Sequence, residues 1–243
     1  MLFVFPSAPT DYVFTPHLGT AYIRSYVSQH NIETTQFLTS HEMTIPDSVT
    51  EIQAYKTDII GMTCYDTNYA YVRILATMLK KKNPYLTIVL GGPTATFSYK
   101  EIMTHTPEID VCVRGEGEQT VLELLQDCSD LERIKGIAFR SGNQIIATPP
   151  RPLISGEDKE AELDVLPSPY VTGVMPPDGR AGILTARGCV YQCTYCNFSA
   201  MFGHTIRYHS VDRVIEELSL IADHWDPAVT SQITIHDDIF SLH

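Results

Sequence analysis

Residues 181–198 read AGILTARGCVYQCTYCNF. An apolar run, Ala181–Ala186, passes straight into Arg187-Gly188 and then into Cys189, Cys193 and Cys196 at the spacing C-x3-C-x2-C. What this loop holds decides how the second half of the chain folds. A structural zinc ion takes four N or S ligands, and His204 or His209 could complete the three thiols, though the spacing is not that of a usual zinc knuckle. A thioredoxin-type pair would use Cys193 and Cys196 alone, at the opening of a helix, and would leave Cys189 without a role. Chance burial suits the other three cysteines: Cys112 within a strand, Cys128 on a helix and Cys64 at a strand end. A 4Fe–4S cluster held by three thiolates is the fourth reading. It leaves one iron open to a small molecule, with Tyr191, Tyr195 and Phe198 to keep water away.

The flanks extend the pattern. Ser210 is placed to cap a helix over VDRVIEELSLIADHW, whose Val214, Leu218 and Ile221 share one face. A second strand, Gln232–His236, follows and ends in Asp237-Asp238-Ile239-Phe240. A strand–helix–strand unit has begun when the sequence stops at His243. Upstream, 149–177 is rich in proline (PPRP, PSPY, PP) and poorly periodic, and it reads as a linker draped over a surface.

Before the linker, short apolar runs alternate with amphipathic stretches. The runs are Leu2–Pro6, Thr35–Leu38, Asp58–Cys64, Thr87–Leu90 and Val111–Val113, and the helical candidates are 18–30, 48–56, 68–82, 96–105 and 118–134. Five strands alternating with helices predict a doubly wound parallel sheet, whose ligands bind at the carboxyl ends of the strands. The loops there are unusual: CYDTNYAY after the third strand, GGPTATF after the fourth and RGEGEQT after the fifth. Gly91-Gly92-Pro93 and Gly115-Glu116-Gly117 allow close backbone approach to a ligand. The G-x-G-x-x-G dinucleotide fingerprint is absent. Gly136–Arg140 and Gln144–Thr148 around Ser141-Gly142-Asn143 predict a β-hairpin.

Totals narrow the class. The 243 residues carry a formal net charge of −12, which argues against a nucleic-acid groove. MLFVFPSAPT is apolar too briefly, and without a basic flank, for a signal peptide, and no run reaches the ~20 apolar residues of a membrane span. A cytoplasmic, reducing setting is expected, where clustered cysteines hold metals or do redox chemistry.

Strand, then R-G-C-x3-C-x-Y-C, resembles the radical S-adenosylmethionine (radical SAM) superfamily. In that superfamily the three cysteines bind a 4Fe–4S cluster, whose open iron chelates SAM. GGPTAT, RGEGEQT and PHLG, at residues 16–19, resemble the cobalamin (B12)-binding domain of its B12-dependent subfamily. The resemblance implies a Rossmann-like B12-binding domain with a terminal hairpin over 1–148, a linker over 149–180, and the first βαβ portion of a partial TIM-type radical SAM barrel over 181–243. Such a barrel has about six βα units, so the chain is expected to be the N-terminal part of a longer enzyme.

The same resemblance implies cluster ligands Cys189, Cys193 and Cys196, and SAM contacts from Tyr195, Phe198, His236, Asp237 and Asp238. For cobalamin it implies Pro16, Leu18, Gly19, Thr63, Tyr65, Asn68, Gly91, Gly92, Pro93, Thr94, Gly115, Glu116, Gly117 and Glu118. One departure stands out: D-x-H-x-x-G is missing, with Thr15 in place of Asp, so no histidine of that motif ligates cobalt from below. A residue of Tyr65–Tyr69 is expected to cover that side. The implied activity is methylation of an unactivated carbon through the cluster, SAM and methylcobalamin. It would act on a small molecule or peptide, with an electron donor such as ferredoxin or flavodoxin and no nucleic-acid or membrane partner. Ring formation or rearrangement without methyl transfer is an alternative, as is an inactive fragment or metal-binding interaction module.

Overall fold

Leu2–Phe5 (β1), Thr35–Leu38 (β2), Ile59–Thr63 (β3), Thr87–Gly91 (β4) and Val111–Val113 (β5) are all strands of one sheet. They are seen in a computed structural model that describes residues 1–6, 17–39, 42–178, 182–228 and 232–240. The order is β2-β1-β3-β4-β5, all parallel, with Leu2 opposite both Thr35 and Ile60, and Ile59 opposite Thr87. β6 (Ile137–Ser141) and β7 (Gln144–Ala147) continue it antiparallel as the expected hairpin. This is a doubly wound sheet whose strand order reverses between β1 and β3.

Near-continuous apolar strands such as TIVLG belong in a parallel sheet buried on both faces. Side chains alternate between the faces. Leu2, Val4, Ile60, Met62, Ile88, Leu90 and Cys112 lie in one core cluster. Val49 and Ile52 of α2 (Ile45–Ala54), Val72, Leu75 and Leu79 of α3 (Tyr69–Lys82), and Ile102 and Met103 of α4 (Pro93–His105) complete that cluster. The alternate residues Phe3, Val89, Val111 and Val113 are buried too. α2 starts on a capping box, with the Thr44 side chain and Asp47 satisfying each other's backbone N–H. α3 ends on Lys80, Lys81 and Lys82, cations that suit the negative end of a helix.

α5 (Glu118–Gln126) is shorter than the 118–134 expected, followed by a single 3-10 turn at Leu131–Arg133. Asp127 turns extended, at φ −155° and ψ 107°, and its carboxylate accepts from Ser129 N–H at 2.9 Å. That local bond competes with a further helical turn. Cys128 is therefore not on a helix, and it is exposed rather than buried.

The chain divides into two compact units, 1–14 with 30–151, and 15–29 with 152–243. The dividing lines differ from the expected ones in two respects. α1 (Leu18–Ser28) belongs to the second unit although it follows β1. The proline-rich stretch is also part of that unit's core rather than a draped linker: Ile154, Leu163 and Leu166 cluster with Tyr22, and Tyr170 and Met175 with Ala21, Ile183 and Ile221. Proline removes ladder donors but leaves intervening apolar side chains free to pack.

The second unit also holds β8 (Ala186–Gly188), α6 (Asn197–Phe202), β9 (Ile206–Tyr208) and α7 (Val211–Asp223). α7 has the expected Ser210 cap, whose side chain accepts from Arg213 N–H. β8 and β9 pair antiparallel, with Arg187 opposite Arg207, a pairing absent from the sequence reading. Of the expected strand Ala181–Ala186, Ala181 lies outside the described residues and Ile183 makes a single parallel bridge to Ile235. The ladder stops there because the Thr185 and Ala186 N–H groups donate to the Asp237 carboxylate instead of a neighbouring strand. Among the described residues no helix is long and apolar enough to cross a membrane.

Candidate functional site

The carboxyl edge of the sheet in the first unit is built by mutual bracing of three loops. Asn68 is buried where the strand order reverses. Its Nδ2 donates to Pro6 O at 2.9 Å and Thr63 O at 3.2 Å, and its Oδ1 accepts from Tyr65 N–H at 2.9 Å. The amide expected to touch a ligand is thus committed to shaping the loop. Gly92 has φ +95°, and a Cβ there would stand 2.7 Å from Cys64 O. No other residue fits without strain. The Cys64 N–H donates to Gly91 O at 2.8 Å, and the Thr94 hydroxyl donates to Asp66 Oδ1 at 2.7 Å. Thr96, which the sequence reading passed over, donates its hydroxyl to Gly92 O and accepts from Gly115 N–H at 3.0 Å, tying the β4 loop to the β5 loop.

Pro93 opens α4, and Gly117, Glu118 and the buried Glu116 lie at the start of α5. A carboxylate in the first turn suits the positive end of that helix. Gly91 and Gly115 have nothing within 4 Å of where a Cβ would stand, so the edge keeps open ground beside its backbone. The Cys64 thiol is pushed up to about 12, chiefly by burial and then by Asp66, which keeps it protonated at neutral pH. Thr63 and Tyr65 adjoin the same edge. Leu18 packs into the apolar clusters of the second unit, Gly19 is exposed in that unit, and Pro16 lies outside the described residues.

In the second unit, β8 delivers the cysteine loop. Gly188 sits at φ +105°, where a Cβ would approach Thr205 O to 2.2 Å, so glycine is the residue that lets β8 and β9 meet at the loop's root. Cys189 is buried, Cys196 half-buried and Cys193 exposed. The Tyr191 N–H points to Cys189 Sγ at 3.4 Å, and a turn closes with Cys196 N–H on Cys193 O at 3.1 Å. Among the described residues no three His, Cys, Asp or Glu side chains converge as a metal-holding set. His204, the candidate fourth zinc ligand, directs Nδ1 to Tyr191 O at 3.3 Å instead. The loop thus brings three thiols into eleven residues without gathering them on one point among the described residues. Tyr195 is 88% exposed beside them and Phe198 47% exposed, so neither aromatic is consumed by core packing. The Tyr195 phenol is raised first by the charge of Cys193 and then by a hydrogen bond with it.

His236 closes the Ile183 bridge through its N–H to Ile183 O at 2.9 Å. His17, the N-cap of α1, accepts from Thr20 N–H on Nδ1 and is lowered to about 4, by burial first and His236 second. Asp237 accepts from Thr185 N–H at 2.7 Å, Ala186 N–H at 3.1 Å and the Thr185 hydroxyl, while Asp238 Oδ2 accepts from Gly188 N–H at 3.1 Å. Behind β8 lies a polar network that the sequence reading missed. The His209 ring is stacked on Tyr22 with Nε2 3.3 Å from its hydroxyl and Nδ1 3.0 Å from Asp164 Oδ1, and the Arg187 guanidinium lies 5.0 Å above the Tyr22 ring.

A family model described as "B12 binding domain" matches residues 10–125. An uncharacterized methyltransferase of Pyrococcus horikoshii is 34% identical over 234 residues, covering 94% of this chain and 50% of the relative. The cobalamin-dependent radical SAM methyltransferase TokK of Streptomyces tokunonensis is 26% identical over 237 residues, 88% of this chain and 33% of its own length. Among solved structures, the radical SAM methyltransferase TsrM of Kitasatospora setae superposes with a TM-score of 0.74 at 17% identity, over 98% of this chain and 47% of that one. The chain spans half or less of the length of these proteins.

Proposed function

The chain belongs to the cobalamin-binding radical SAM family, and from that premise we propose that it serves a methyltransferase acting on an unactivated carbon of a small-molecule substrate. The observation that carries this reading is the C-x3-C-x2-C loop that follows β8, in the same chain as a parallel sheet matched by the B12-binding family model. When bound, the 4Fe–4S cluster with SAM supplies a radical and cobalamin supplies the methyl group.

The rest is the work of this chain's residues. Cys189, Cys193 and Cys196 hold the cluster as thiolates. Tyr195 and Phe198 stand exposed beside them to cover SAM, with His236 next to the Ile183–Ile235 bridge. Gly91, Gly92 and Gly115 let the sheet edge approach cobalamin, and Pro93, Thr94, Glu116, Gly117 and Glu118 form the surrounding loops. Thr63, Tyr65 and Asn68 shape the floor of that cradle. The six cysteines form no disulfide, and the electron for the cluster would come from a reductant such as ferredoxin or flavodoxin.

Anaerobic reconstitution of the full-length protein with iron and sulfide is expected to give about four irons per chain and visible charge-transfer absorbance. Both should be lost when any one of the three cysteines is changed to serine. Cobalamin should bind with a shift of its own spectrum, and isotope from the SAM methyl group should appear in product. One zinc per chain with no visible band, or cyclised product without label, would overturn the reading.

A further inference from the structure

We infer that Asp237 is a positioning residue that fastens the root of the cysteine loop, not a ligand of the SAM amino group, and that Asp238 shares in the fastening. The inference rests on the reading of that loop as the cluster site. It starts from what each carboxylate touches. Asp237 Oδ1 accepts two consecutive backbone N–H groups, Thr185 at 2.7 Å and Ala186 at 3.1 Å, and its Oδ2 accepts the Thr185 hydroxyl. Asp238 Oδ2 takes the next available amide along β8, that of Gly188, at 3.1 Å. The two aspartates adjoin Ile235, which bridges Ile183 in parallel. Together they continue, through side chains, a strand pairing that the backbone makes only once.

Four consequences follow from this arrangement. Each amide so held is one that a strand neighbour would otherwise satisfy, so removing the carboxylate leaves Thr185, Ala186 and Gly188 N–H groups without these partners. Three backbone amides within four residues are held by two adjacent side chains, which fixes this short segment. Gly188 immediately precedes Cys189, and its left-handed backbone, pressed against Thr205 O, tolerates no shift toward another residue's conformation. A carboxylate oxygen accepting two N–H groups also has less capacity left for an incoming ammonium group.

The two roles separate by charge. Changing Asp to Asn keeps an oxygen that accepts backbone N–H groups but removes the negative charge that an ammonium ligand needs, whereas Asp to Ala removes both. The full-length protein is examined as wild type, Asp237→Ala, Asp237→Asn, Asp238→Ala and Asp238→Asn. In the cluster-free state, hydrogen exchange of the peptide spanning Thr185–Gly188 should quicken at least tenfold in Asp237→Ala and stay near wild type in Asp237→Asn. After anaerobic reconstitution, iron content should fall several-fold in the Ala variants and recover in the Asn variants. The SAM concentration that half-saturates the change in the reduced cluster's EPR signal should be unaltered in Asp237→Asn.

Unchanged exchange in Asp237→Ala would overturn the fastening itself, whatever the loop binds. A tenfold or greater rise in half-saturating SAM for Asp237→Asn, with full cluster loading, would overturn it by assigning the carboxylate to SAM. Should Asp237→Ala not fold, Asp237→Asn alone decides through those same two readouts. Wild-type protein that shows the exchange protection yet loads no cluster would sink the functional reading and, with it, this assignment.

Discussion

His209 is held neutral by its surroundings. Its side chain is 1% exposed, and burial first, then Arg213 and Arg187, outweigh Asp164 to lower it from 6.5 to about 4. With Asp164 ionised, the ring donates from Nδ1 to that carboxylate and accepts the Tyr22 hydroxyl on Nε2. Because the native pKa lies below the unfolded one, stability is present in full above pH 6.5 and is lost as pH falls toward about 4. In that window the unfolded chain takes up a proton that the native ring refuses. The shift corresponds to about 3 kcal/mol. Chemical denaturation across this range should show the loss, and His209→Gln should lower stability at pH 7 yet flatten the slope. A slope unchanged in the variant would assign the acid sensitivity elsewhere, His17 being the first candidate. None of this was legible in the sequence. His209 lies 45 residues from Asp164 and 187 from Tyr22, distances over which local pattern carries no information. Gly92 and the three cysteines were legible, since a glycine pair after a strand and a tight thiol spacing are local signals.

Elements were readable where one physical rule governed them alone. The five parallel strands announced themselves as apolar runs, and α7 as a serine cap followed by apolar residues at helical spacing. Ser210→Ala should therefore cost about 1 kcal/mol by removing the acceptor for Arg213 N–H. Thermal or urea unfolding would measure this, and a change within error would mean that the orphaned donor finds water without loss. The short pieces of the second unit were not readable. β9 is three residues with an arginine at its centre, and Arg207 is buried with its guanidinium donating to Ile154 O. A charge paired through tertiary contact looks, in sequence, like a surface position. Likewise the expected Ala181–Ala186 strand was cut to one bridge by side chains from far along the chain, which no propensity scale registers. The proline-rich stretch misled in the opposite direction, because composition signals irregular backbone but says nothing about whether that backbone is buried.

For the whole molecule, the feature that sequence order conceals is the membership of α1. It is the next element after β1 in the chain, yet its residues enter two apolar clusters of the second unit, Ala21 in one, Tyr22 in the other and Leu18 against both. A fragment comprising 152–243 alone is therefore expected to lack fixed tertiary structure. Fusion of 15–29 ahead of it should restore near-ultraviolet circular dichroism and amide protection. A fully ordered 152–243 fragment would show that α1 is dispensable. The same membership sets a timetable during synthesis. α1 is an 11-residue helix, too short to be stable by itself in water. Tyr22 meets His209 only after 187 further residues have been made. At ordinary elongation rates that is a wait of roughly 10–40 s, during which the neighbouring sheet unit can finish folding on the ribosome. An early-made segment must stay unclaimed until its late-made partners arrive, so the speed of translation becomes a folding parameter for this chain.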